Sequence, residues 1–138
     1  MDQIIIKQYG QYDQMEILEL YKSVGWTNYS SRPEMLKLAY ENSLLVLGAY
    51  FKGRLVGVIR LVGDGHSIVY IQDIIVLPQY QRRGIGSSLL RRALEHFPDV
   101  YQTVLLTDAG TATEGFYKSL GFASSIQMGC VAFVKFRS

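Results

Sequence analysis

Two hydrophobic periods alternate along this chain, and the switches between them mark its elements. Ile4 to Tyr9 is short and β-branched and reads as a first strand. Asp13, with Glu16 three residues on, matches a capping box, and Met15, Ile17, Leu18, Leu20, Tyr21 and Val24 follow at helical spacing, so a first helix runs to about Val24 and Gly25 ends it. Gly25 to Pro33 is polar and aromatic without a period and reads as a loop. Pro33 and Glu34 open a second short helix with Met35, Leu36, Leu38, Ala39 and Tyr40 as its apolar residues. Leu44–Phe51 and Leu55–Val62 are strand-like runs around Lys52-Gly53-Arg54, a hairpin, and after Gly63-Asp64-Gly65 the stretch Ser67–Leu77 is a third strand of the meander, closed by Pro78.

The period then changes again. Ile85, Leu89, Leu90, Ala93, Leu94 and Phe97 fall on one half of a helical wheel, with Arg91, Arg92 and Glu95 on the other, which makes a helix that packs on a sheet and turns charge to solvent. Val100–Thr107 is a further strand; a helix separates it from Ser67–Leu77, so a right-handed crossover should lay the two parallel. Thr111–Leu120 is a short helix stopped by Gly121, and Phe122–Phe136 should hold one or two closing strands with Gly129 near a turn or bulge. The predicted class is α/β with a mixed sheet: an antiparallel meander, then a parallel β-α-β unit, in one domain over residues 1–138.

Composition narrows the function classes. The 138 residues are 49% hydrophobic and 19% charged, enough for a core, and a net charge of +2 is too small to argue for nucleic acid. Cys130 is the single cysteine, so no intramolecular disulfide forms and a structural zinc site lacks ligands; within its apolar run it is expected to be buried. Met1–Lys7 has only three consecutive apolar residues, which suits neither a signal peptide nor a membrane span, and a cytoplasmic protein without membrane, metal or nucleic-acid partners is expected.

The chemistry concentrates at Val76-Leu77-Pro78-Gln79-Tyr80-Gln81-Arg82-Arg83-Gly84-Ile85-Gly86-Ser87-Ser88. A strand ends at a proline, a basic glycine turn follows, and a helix begins. A helix start presents backbone N–H groups without intrahelical partners together with a partial positive charge, so it is suited to a phosphate. Gly84 and Gly86 allow close backbone approach, and Arg82 and Arg83 add charge. A P-loop requires a lysine after the last glycine, where Ser87 stands, and the dinucleotide fingerprint requires a third glycine, where Leu89 stands.

The stretch Gln81-Arg82-Arg83-Gly84-Ile85-Gly86, with Val76 and Pro78 upstream, resembles the acyl-CoA pyrophosphate loop of the GNAT superfamily of N-acyltransferases. Gly115-Phe116-Tyr117-Lys118-Ser119-Leu120-Gly121-Phe122 is similar to that family's Phe-Tyr-x-x-x-Gly-Phe segment, and the order of predicted elements is that of the family, least clearly before Leu44. The resemblance implies acetyl-CoA as co-substrate, held by Gln81, Arg82, Arg83, Gly84, Ile85, Gly86 and Ser87, with the backbone around Ile75, Val76 and Leu77 binding the pantetheine arm as an added strand. It implies Tyr117 as the acid that protonates the leaving thiolate, which is reasonable because a phenol of pKa ~10 can donate to a thiolate whose thiol has pKa ~8.5. Gly110 and Thr113 stand where the family often has Asn and Ala, so the usual asparagine contact to pantetheine is missing unless Thr111 or Asp108 supplies it.

An acceptor ammonium of pKa ~10.4 must lose a proton before it attacks, a gap of roughly 4–5 kcal/mol at neutral pH. Asp73 is the only carboxylate in the strand before the glycine turn; it is a base or water-orienting residue, or else the partner in a structural ion pair or an outward-facing residue. Trp26 and Tyr29 lie in the segment that often covers the acceptor pocket in the resembled family. The expected activity is acetyl transfer from acetyl-CoA to a primary amine of a small molecule by direct attack. The alternatives are a non-catalytic CoA-binding regulatory module and an acetyltransferase of proteins or peptides. The closing strand, with Phe133, Val134 and Phe136, is suited to pairing with a second copy, so a homodimer is an open option.

Overall fold

The computed structural model describes residues 3–137; Met1 and Asp2 of the N-terminal stretch, and Ser138, lie outside the described residues. The chain falls into two compact units, one through Leu106 and one from Thr107 onward.

The first unit contains β1 (Ile4–Gln8), α1 (Gln14–Ser23), α2 (Thr27–Ser30), α3 (Pro33–Glu41), β2 (Leu45–Phe51), β3 (Arg54–Gly63), β4 (Ile68–Val76), a single 3-10 turn at Pro78–Tyr80, α4 (Ile85–Leu94) and β5 (Gln102–Leu105). The strands form one sheet in the order β1-β2-β3-β4-β5. β1 to β4 are antiparallel neighbours, and β5 runs parallel to β4 from the pair Ile68 with Gln102 to the pair Ile71 with Leu105. The β2–β3 hairpin closes on Lys52 and Gly53, both at positive φ (50° and 80°), the two-residue turn whose twist matches that of the strands.

Contacts on either side of β3 assign the layers. Arg60 reaches Ser43, which follows α3, and stands over the ring of Tyr40 in α3. A Cβ at Gly57, three residues earlier and therefore on the other face, would meet Leu89 of α4 at 3.4 Å. So α1 and α3 cover one face of the sheet and α4 the other. Ile17, Leu20, Tyr21, Leu36 and Tyr40 are buried in the first layer, and Ile85, Leu89, Leu90 and Ala93 in the second. Four of the six residues expected to face inward on α4 are thus buried; Leu94 is partly exposed, as is Phe97, which lies beyond the end of the helix, and Arg91 and Arg92 are exposed.

The second unit contains α5 (Thr111–Ser119) and the segment after it. No strand is present in residues 122–137, which corrects the expected closing strands. A turn closes Ser125 to Cys130 through Cys130 N–H to Ser125 O at 2.8 Å, with Gly129 at φ 79° as the residue that allows it. Beyond it Val131, Phe133, Val134 and Phe136 are exposed, Phe133 at 93%. An apolar run makes a strand only where a second strand accepts its hydrogen bonds, and none is paired to it among the described residues. Cys130 is exposed rather than buried for the same reason. The segment read as a loop also contains one helical turn, α2, too short to show a 3.6-residue period.

Candidate active site

The glycine turn joins β4 to α4. Gln81 leaves the 3-10 turn, and its side-chain Nε2 donates to Val76 O at 2.9 Å, tying the loop back to the end of β4. Arg82 at φ 65° and Gly84 at φ 80° both take the left-handed conformation, the kind of backbone that gathers N–H groups into an anion-holding concavity. Gly84 is the N-cap of α4, and no side chain caps that helix. The first bond into the helix is Ser88 N–H to Gly84 O at 3.0 Å, so the amides of Ile85, Gly86 and Ser87 ahead of it have no intrahelical partner. The Arg83 guanidinium lies 5.4 Å from the centre of the Tyr80 ring, which itself packs on Phe51, so this cation is held rather than loose. A groove of about 370 Å³ opens beside the helix start, with Arg83, Gly84, Ser88, Arg91 and Arg92 among its walls.

The strand feeding this turn is paired on one side only along its second half. Beyond Ile71, β4 has no β5 partner, so residues 72–76 present an unpaired edge among the described residues, and Ile75, Val76 and Leu77 are buried there or next to it. A half-paired strand ending in a ring of free amides is a shape that an extended chain with a phosphate end can follow.

On the face of α1 and α3, Asp73 is buried with 2% of its surface exposed, and so is Arg60 at 5%. They oppose each other across β3 and β4, and Arg60 Nε donates to Asp73 Oδ2 at 2.8 Å. The Tyr21 hydroxyl donates to the same oxygen at 2.6 Å and shares a bond of 2.9 Å with the Tyr40 hydroxyl. Burial first, then the neighbouring Tyr40 and the Asp73 charge, hold the Tyr21 phenol far above its ordinary range; burial is the main cause for Tyr40 as well. The carboxylate therefore has the ion-pair partner that one of its sequence readings gave it, and its burial rules out the outward-facing position that was another.

Trp26 and Tyr29 stand beside this network. Their rings lie 6.1 Å and 5.6 Å from the Tyr21 ring and 6.4 Å from each other, and both are half-exposed. Gln72 Nε2 donates to the Tyr29 hydroxyl at 3.2 Å. So the structure brings Trp26, Tyr29 and Asp73 together with Arg60, Tyr21, Tyr40 and Gln72, among which run four hydrogen bonds whose partners sequence reading did not supply. Only a buried-type tyrosine spacing in α1 and an arginine within an apolar strand could have hinted at them.

Tyr117 belongs to the second unit. It sits on α5, half-buried, with edge-on contacts to Phe116 at 5.0 Å and Phe122 at 5.9 Å, and burial raises its phenol above the usual value. Gly110 is the N-cap of that helix and provides no side-chain cap; Asp108 and Thr111 are both exposed. Among the described residues no group of three or more His, Cys, Asp or Glu is placed to hold a metal ion.

A model of the acetyltransferase (GNAT) family matches residues 12–122. The chain is 34% identical over 125 residues to an uncharacterised ycf52-like N-acetyltransferase of Prochlorococcus marinus, covering 86% of this chain and 67% of that protein. It is 28% identical to a soybean histone acetyltransferase, covering 88% of this chain and 57% of that one. The chain spans about two thirds or less of the length of these curated relatives. Among solved structures, a GNAT family acetyltransferase of Streptococcus pneumoniae superposes with a TM-score of 0.89 at 43% identity, with 98% of each chain covered. A GNAT acetyltransferase of Brucella melitensis in complex with acetyl-CoA superposes at 0.68 with 24% identity, covering 89% of this chain and 84% of that one, a likeness of fold.

Proposed function

The chain belongs to the GNAT family of acetyltransferases, and from that premise we propose that it transfers an acetyl group from acetyl-CoA to a primary amine of a small molecule by direct attack. The observation that carries the reading is the junction of β4 and α4: an unpaired strand edge leading to three free helix-start amides beside Arg82 and Arg83. The diphosphate would take the amides of Ile85, Gly86 and Ser87, Arg83 would neutralise charge, and the arm would lie along Ile75, Val76 and Leu77.

In the reaction the amine nitrogen forms a bond to the thioester carbonyl carbon, the carbon–sulfur bond breaks, and the sulfur leaves as a thiolate that takes a proton from Tyr117. The ammonium gives up one proton to water before attack, and the second proton lost from the nitrogen as the amide forms restores the Tyr117 phenol by way of solvent. We assign Asp73 to orienting that water, since Arg60 and Tyr21 both bond Oδ2 and Oδ1 has no partner among the described residues. Trp26 and Tyr29 would form the aromatic wall for the acceptor.

The test is CoA release from acetyl-CoA across polyamines, amino sugars, arylalkylamines and a lysine peptide, with Tyr117→Phe beside the wild type. We expect release with at least one small amine, and a fall in turnover of about a hundredfold in the variant with acetyl-CoA binding little changed. Binding without release over the whole panel would favour the non-catalytic module. Release with the peptide alone would move the acceptor to protein.

A further inference from the structure

Gln72 and Asp73 reach the same side of the sheet, which a regular strand does not allow. Successive side chains of a strand face opposite ways. Yet Gln72 bonds the Tyr29 hydroxyl of α2 and Asp73 the Tyr21 hydroxyl of α1, and those two rings are 5.6 Å apart. The register explains it: Arg60 opposes Asp73 and Leu61 opposes Ile71, so Gln72 is a surplus residue, a β-bulge. A bulge bends its strand and increases the local twist. This one sits where β5 stops, immediately after the last parallel pair at Ile71.

We infer that Tyr21 and Tyr29 are positioning residues that clamp this bulge from the helical layer while Arg60 holds it from β3, and that the clamp fixes the line of the β4 edge over residues 72–76. Resting on the reading above, that edge carries the donor's arm. The ring of Tyr29 also walls the acceptor side, so acceptor site and donor strand are joined through two hydroxyl groups. The two bonds differ in kind. Tyr21 donates to a charged, buried carboxylate, and Tyr29 accepts from an amide on the half-exposed side, so the first should hold the bulge more firmly.

Tyr21→Phe and Tyr29→Phe remove the hydroxyls and keep the rings. In the free protein, hydrogen exchange at the amides of residues 72–76 should speed up on the order of tenfold in Tyr21→Phe and less in Tyr29→Phe, with the β1–β2 amides unchanged as the control. The acetyl-CoA Kd should rise about three- to tenfold in Tyr21→Phe, while the pH profile of kcat/KM keeps its shape. Unchanged exchange in that segment, a uniform acceleration over the sheet, or an unchanged Kd would each overturn the clamp. A wild-type protein that does not bind acetyl-CoA would sink the proposed activity instead, and the exchange measurement would then decide the clamp by itself.

Discussion

Gly84 stands at φ 80° with nothing within 4 Å of where a Cβ would be. A methyl group there has room, so only the backbone conformation opposes it. Gly84→Ala should therefore cost about 1–2 kcal/mol and lower the denaturant midpoint without changing the slope; an unmoved midpoint would show that the turn tolerates the side chain. At this scale the sequence is most informative where the candidate residues are contiguous. Gln81 to Gly84 form the turn and Ile85 to Ser87 begin α4, and their letters alone point to free amides and positive charge. Asp73 was visible as a lone carboxylate in an apolar strand, but its partners are Arg60, thirteen residues earlier, and Tyr21, in another element. Nothing local in the chain names a partner at that separation.

The N-terminus of α1 shows how an element can follow its sequence signal by a different route. Asp13 caps the helix by accepting from the amides of Met15 and Glu16, as a capping box requires. The reciprocal bond is relayed: Asp13 N–H donates to the Tyr9 hydroxyl at 2.8 Å, and that hydroxyl donates to Glu16 Oε1 at 3.0 Å. Asp13→Ala should cost about 1 kcal/mol in thermal or chemical unfolding, and no loss would mean that the Tyr9 relay caps the helix without it. Helices and strands with a strong period were legible with ends close to those observed. What failed at this scale was what a period cannot report. One turn of α2 is shorter than the window in which a period shows, and the run from Val131 to Phe136 has the composition of a strand without a strand to pair with.

Over the whole molecule, three phenols tie the first layer of helices to the sheet and to the N-terminal turn. Burial is the first cause that raises Tyr9, Tyr21 and Tyr40, so the folded protein holds these protons more tightly than the unfolded chain does. Their contribution is complete below the ordinary tyrosine value of ~10, where both states are protonated, and is lost as pH rises past it because the unfolded chain ionises first. The melting temperature should therefore hold up to about pH 9 and fall steeply by about pH 11; equal melting temperatures across that interval would remove the phenols from the stability balance. The meander and the parallel crossover were legible because connection length and handedness restrict them. The bulge was not, since Gln72 looks like any polar residue of a half-buried strand. Its consequence is a matter of number rather than of residue type. Seven residues of β3, from Gly57 to Gly63, face eight of β4, from Val69 to Val76. On either side of the surplus residue Ile71 and Asp73 already stand on opposite faces, as neighbours in an even strand would. A chain shortened by residue 72 would keep every other side chain on its present face and lose the bend together with the Gln72 bond to Tyr29. Strand length is thus a separate determinant of the line of the β4 edge, one that substitutions leave untouched and a single deletion would expose.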